Sequence, residues 1–257
     1  MKRLLVLLTA ACALTGCGLL TGITWNEEQI ASAAGKAVTA ISITDEQIVE
    51  LCKESVASLD KQNTIDTGTY STRLKKLMSG ITQVGGLPLN FKVYKTNEIN
   101  AFACGDGSIR VYSGLMDVMT DDELIAIIGH EIGHVVHQDT KNAMKKAYMT
   151  SAAADIVGAA GSVGALAQGM IGNIAETFVS AQFSQKQEYA ADDYGYQFAI
   201  DHGHSPYSMS NALQKLVSLS KGSQASAVAQ MFSSHPDSAK RASRIKAKAD
   251  SYYTSLK

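Results

Sequence analysis

The segment "TDDELIAIIGHEIGHVVHQDT", Thr120 to Thr140, constrains this chain more than any other stretch. Thr120-Asp121-Asp122-Glu123 has the form of a capping box, in which the Thr and Glu side chains satisfy each other's free backbone N–H groups at a helix start. The apolar residues that follow predict a helix carrying His130, Glu131 and His134 as H-E-x-x-H. On a helix, residues i and i+4 share a face, so both imidazoles can reach one Zn²⁺ at about 2.0–2.1 Å. The glutamate between them is then placed to act as general base toward a water.

Two histidines do not complete a catalytic zinc site, which needs a third protein ligand and one open position. His137 faces the same side as His130, but it lies about 10 Å further along the axis. Helix geometry therefore argues against it, and the plainer reading is a histidine near the last carbonyls of the helix. A stronger candidate lies in "FSQKQEYAADDYGYQFA", which predicts a helix from about Ser184 to His202, closed by Gly203. Glu188 and Asp192 are four apart and share a face with Ala191 and Gly195. Glu188 would supply the third ligand, and Asp192 would accept an N–H from a ligand imidazole and so set its tautomer. Taken alone, such an acidic pair is more often a solvated face; its alanine-rich surroundings and the missing ligand single it out.

The chain begins "MKRLLVLLTAACALTGCGLL". Lys2 and Arg3 precede an apolar run, Leu4 to Leu14, of signal-peptide length rather than membrane-spanning length. Leu14-Thr15-Gly16-Cys17 has the form of a bacterial lipobox, so cleavage is expected after residue 16, with Cys17 lipidated. Residues 17–43 read as a tether, and 44–257 as one domain. Gly18 in place of Asp points to the outer membrane of a Gram-negative cell, with the domain facing the periplasm. Cys12 leaves with the signal. Export would place Cys52 and Cys104 in an oxidising compartment, where a disulfide is expected over two buried thiols. Net charge is −1 and the basic residues are scattered, which argues against a nucleic-acid partner.

The rest of the chain is mostly helical in pattern. A capping box at Thr44–Gln47 opens a first helix, and a second is expected over about Tyr70–Gln83, ended by Gly85-Gly86. Alternation in "PLNFKVYKT" and "SIRVYSG" predicts strands around a tight turn at Gly105-Asp106-Gly107. The Ala/Gly-rich stretch from Lys141 to Ser180 reads as a helical hairpin, because Asp155 and its glycines argue against a membrane span. Helices are expected after Pro206 and Pro236. Arg110 is a candidate for the rim of the cleft, although no spacing requires it. The fold class is therefore α+β, mainly helical, with a small sheet beside the H-E-x-x-H helix.

Three segments together resemble zinc metallopeptidases of the HtpX and CAAX-prenyl-protease type. These are "INAFACGDGSIRVYSGLMDVMTDDELIAIIGHEIGHV", "SAQFSQKQEYAADDYGYQFA" and "SSHPDSAKRASRI". With the lipobox and no membrane span, the chain is most similar to that family's outer-membrane lipoprotein peptidases. The resemblance implies a zincin-like domain and one Zn²⁺ per chain, with ligation by His130, His134 and Glu188 and a general-base role for Glu131. It departs from those relatives around Ala103–Asp106, where their cysteine lies nearer the second strand. His235, in the His-Pro segment, is a candidate to donate to the oxyanion or to block the fourth zinc position at rest; a histidine before proline is also a common helix-start feature. The implied substrates are unfolded polypeptide segments of envelope proteins, with the outer-membrane assembly machinery or related envelope peptidases as partners. A latent peptidase acting mainly as chaperone or scaffold is the alternative.

Overall fold

The computed structural model describes residues 44–158 and 166–255. The signal segment, Cys17 and the tether lie outside the described residues, as does the turn of the Ala/Gly-rich hairpin. Helix α1 (Asp45–Gln62) opens on the expected capping box at Thr44, and α2 (Thr69–Leu77) follows. The expected second helix stops short, because Gly80 at φ 84° turns the chain after Met78. Gly85 and Gly86, at φ 54° and 81°, instead form the tip of a hairpin between β1 (Gln83–Val84) and β2 (Leu87–Pro88). Positive φ at both central positions is the backbone that a two-residue hairpin turn demands.

A three-stranded sheet comes next: β3 (Asn90–Tyr94), β4 (Ala101–Ala103) and β5 (Ser108–Tyr112), in the order β3-β5-β4. β5 is central, parallel to β3 and antiparallel to β4, with Val93 opposite Val111 and Ala103 opposite Ile109. The expected tight turn joins β4 to β5, with Gly107 at φ 85°. Side chains alternate across the sheet. Val93, Ala101, Ala103, Ile109 and Val111 enter the main core, while Tyr94, Phe102 and Tyr112 enter a second cluster on the other face.

Helix α3 (Ser113–Val118) leads into α4 (Asp121–Val136), which carries H-E-x-x-H and lies on the main-core side of the sheet. The second face is covered by α1 with α5 (Asp139–Gly158) and α6 (Leu166–Val179). No helix among the described residues is long and apolar enough to cross a membrane. Then follow α7 (Gln185–Asp201), α8 (Ser208–Leu219), α9 (Ala225–Ser234) and α10 (Ser238–Ser255). α9 has no counterpart among the sequence expectations, although Val228, Met231 and Phe232 stand at helical spacing.

Two expectations change on the α1 face of the sheet. Arg110 is not at a cleft rim: it is 2% exposed and chelates Asp60 of α1, through Nε at 2.8 Å and Nη2 at 3.0 Å. Its place in the central strand turns it away from α4. Cys52 and Cys104 do meet, joined by a side-chain hydrogen bond, but as buried free thiols rather than a disulfide. In that cluster they pack as small apolar groups, and burial, with Cys52 beside it, pushes the Cys104 thiol well up.

Burial works to raise the Asp60 carboxyl, but hydrogen bonds from Arg110, Lys92 and Tyr94 bring it down to about 2. A carboxyl lowered by folding stabilises above its unfolded pKa and loses that contribution as pH falls through the folded one. Asp60→Asn is therefore expected to cost about 2–3 kcal/mol near neutral pH, since it strands a buried guanidinium. That corresponds to a melting temperature roughly 5–10 °C lower. The gap between variant and wild type should close between pH 4 and 2; a gap independent of pH would show that the ion pair is not its source.

Candidate metal centre

The centre is built where α4 crosses α7. Capping boxes start both helices: Thr120 with Glu123 on α4, and Ser184 with Gln187 on α7. The crossing is unusually close because the facing positions are small. A Cβ on Gly195 would lie 2.6 Å from the Ala126 carbonyl oxygen and 2.9 Å from His130 N. On α4, Gly129 sits against Phe198 and Gly133 against Ala191 and Tyr194. This backbone-to-backbone approach lets Glu188 and Asp192 of α7 reach the α4 histidines.

His130, His134, Glu188 and His235 place one donor atom each within 4.8 Å of one another. His130 Nε2 is 3.1 Å from His134 Nε2 and 3.3 Å from His235 Nδ1. Glu188 Oε1 is 3.3 Å from His134 Nε2 and 3.0 Å from His235 Nδ1. Four ligands around Zn²⁺ at about 2.0–2.1 Å would be spaced by roughly 3.3–3.4 Å; these four separations are of that order, while the shortest His130–Glu188 contact is 3.7 Å, from Nε2 to Oε2. Every one of these residues is at most 5% exposed.

The far nitrogens explain why the donors face inward. His130 Nδ1 is 3.0 Å from Asp192 Oδ1, and His134 Nδ1 is 3.0 Å from Asp139 Oδ2. A ring that gives its Nδ1–H to a carboxylate presents its Nε2 lone pair to the cluster. Two such lone pairs facing each other at 3.1 Å repel unless a proton or a metal cation lies between them. Charge agrees with this demand: Glu131, Glu188, Asp192 and Asp139 are set against the single guanidinium of Arg241. Burial works against a charged His134 ring, yet Asp139, Glu188 and Glu131 draw it up to about 9. Burial likewise raises the Glu188 carboxyl, but the charge on His235 and hydrogen bonds from His134 and His235 hold it well below the carboxylate range. The donor set fits a divalent ion.

Asp139 went unread in the sequence. Gln138 adopts φ 61°, which ends α4 and swings Asp139 back beneath His134. Asp139 Oδ1 also accepts from Gln187 Nε2 at 2.7 Å, which ties it to the α7 cap. An Asp at i+5 from a motif histidine, just past the helix end, was the available signal. Arg241 was unread as well. It chelates Asp192 with Nε at 2.9 Å and Nη2 at 2.6 Å, and its Nη1 pairs with Glu188 Oε2. His137 caps α4, is exposed beside Tyr194 and lies outside the cluster.

Glu131 is buried, and its Oε1 has no hydrogen-bond partner. His235 Nε2 stands 3.7 Å from it, so His235 is wedged between Glu131 and the other three donors. Phe183 stacks on His134 with ring centroids 4.1 Å apart. Beside the centre, the space between Ile127, Leu213, Met231 and His235 is only about 10 Å³. A larger groove of about 730 Å³ lies elsewhere, lined by Arg73, Lys76 and His204, and holds none of these residues.

Comparison with known proteins agrees with this geometry. Residues 70–249 match Peptidase family M48. Metalloprotease LoiP of Escherichia coli (strain K12) is 39% identical over 95% of this chain and 95% of its own length. Metalloprotease YcaL of the same strain is 34% identical over 95% of this chain and 96% of its own. A β-barrel assembly-enhancing protease of Yersinia pestis is 31% identical over 58% of this chain and 32% of its own length. With a mainly helical α+β fold, an H-E-x-x-H helix and a matching family profile across most of its described length, the chain belongs to peptidase family M48 and is a metalloprotease.

Proposed function

We propose that this protein is a zinc endopeptidase of the bacterial envelope, with one Zn²⁺ per chain held by His130, His134 and Glu188. The observation that carries this reading is the cluster of four buried donors within 4.8 Å of one another, beside an unpartnered Glu131 oxygen. When bound, zinc supplies Lewis acidity toward the scissile carbonyl and toward a water. Glu131 takes the proton of that water and passes it to the leaving amine. Asp192 and Asp139 hold the two imidazoles in the ligating tautomer. β4 is an edge strand of the sheet beside α4. An extended peptide added there would be read by its main chain rather than its side chains, which suits unfolded segments.

His235 stands at the fourth donor corner, which favours its role as a block in a resting state over oxyanion donation. It must leave before a peptide carbonyl can approach. The burial of the whole centre also supports a second reading, a latent peptidase working mainly as chaperone or scaffold. The lipobox at Cys17 would anchor domain 44–257 to the outer membrane, facing the periplasm, through the tether of residues 17–43 after removal of residues 1–16. The name of the Yersinia relative suggests outer-membrane protein assembly as the setting, with misassembled proteins as substrates and the assembly machinery or related peptidases as partners.

Metal analysis tests the ligand set. Wild type and His137→Ala should each retain about one zinc per chain, and Glu188→Ala should lose it. Zinc lost with His137 and kept without Glu188 would overturn the assignment.

A further inference from the structure

Arg241 is 2% exposed and touches four residues of the centre through one guanidinium. Nε and Nη2 grip both oxygens of Asp192, and Nη1 pairs with Glu188 Oε2. Nη1 also reaches the His235 carbonyl at 3.4 Å, and Nη2 lies 3.5 Å from His130 Nδ1. The two carboxylates sit four apart on α7, one helical turn, and Arg241 comes across from the first turn of α10. A planar fork can span both, whereas an ammonium cannot.

Glu188 is divided by this contact. Oε1 faces His134 Nε2 and His235 Nδ1 inside the donor cluster, while Oε2 faces Arg241 and stays 3.7 Å from His130 Nε2. A glutamate beside a divalent cation can bind through one oxygen or both, and here the second oxygen is ion-paired with the permanent cation of Arg241 Nη1, although it accepts no hydrogen bond. Arg241 also holds both oxygens of Asp192, which sets Oδ1 3.0 Å from His130 Nδ1 and leaves His130 Nε2 facing the cluster.

We infer that Arg241 is a positioning residue that makes Glu188 a one-oxygen metal donor and, through Asp192, fixes the ligating tautomer of His130. This inference rests on the zinc reading above. It makes the fourth zinc position depend on a residue of α10 that does not touch the ion.

Two measurements test it on the full protein. X-ray absorption of the zinc-loaded wild type should fit one carboxylate oxygen at about 2.0–2.2 Å; a fit that requires both oxygens of Glu188 overturns the inference. Arg241→Lys should bind zinc about 10–100-fold more weakly, and its cobalt-substituted form should show a visible spectrum shifted toward higher coordination number. A folded Lys variant with wild-type zinc affinity and an unshifted cobalt spectrum overturns the inference, even if its metal-free form melts lower, because that pattern marks a purely structural arginine. If the variant does not fold by circular dichroism, the wild-type absorption data decide. Failure of the wild type to take up zinc would overturn the zinc reading itself, whereas zinc bound with a two-oxygen Glu188 overturns only this inference.

Discussion

Glu131→Gln is expected to bind one zinc per chain as tightly as wild type and to cleave a denatured protein about 10²–10⁴-fold more slowly. The amide keeps the shape of the side chain but cannot take a proton. Glu131 is buried and its Oε1 has no hydrogen-bond partner, so the change removes no hydrogen bond from that oxygen. Metal content and kcat are measured on the same preparation. Retained cleavage by a zinc-loaded variant would remove Glu131 from the chemistry. The substitution also separates the two functional readings: an envelope defect repaired equally well by Glu131→Gln and by wild type would favour the scaffold.

The second large effect is expected from a residue with no functional group. Gly195→Ala adds a carbon that would sit 2.6 Å from the Ala126 carbonyl oxygen and 2.9 Å from His130 N. Both neighbours are helix backbone, so α4 and α7 must separate, at a cost of about 1–3 kcal/mol. Metal sites tolerate donor displacements of only about 0.2 Å. Glu188 comes from α7 and the histidines from α4, so the shift acts directly on the donor spacing. Zinc affinity should fall by at least 10-fold, a loss typical of disturbed metal support. Gly172→Ala is the control, because a Cβ there meets nothing within 4 Å and zinc affinity should not change. Equal zinc affinity in both variants would show that the crossing does not set the spacing.

Much of this was legible locally. The capping boxes at Thr44 and Thr120 and the Ser184 start marked three helices, because each is a contract between residues three apart. Strand alternation located the sheet. The errors fell where one signal serves two structures. Gly85-Gly86 reads as a helix stop or as a hairpin tip, and the tip requires a β1–β2 pairing invisible in the glycines themselves. Arg110 reads as a rim residue until Asp60, fifty positions away, is found against it. Cys52 and Cys104 were correctly brought together, but proximity does not decide between thiols and a bond.

The metal centre divides along the same line. By itself the amino-acid sequence determined that His130 and His134 share one face with Glu131 between them, since i, i+4 spacing on a capped helix fixes that face whatever surrounds it. It also turned the search away from His137, which helix rise carries too far along the axis. Only the tertiary structure decided that Glu188 meets those histidines, because that depends on glycines letting two helices touch. Only it decided that Asp139 meets His134, that Arg241 meets Asp192 and Glu188, and that His235 joins the donor cluster. Those residues act through contacts between separate elements. Local sequence encodes spacing along one helix; the separation between helices is set by how their side chains fit.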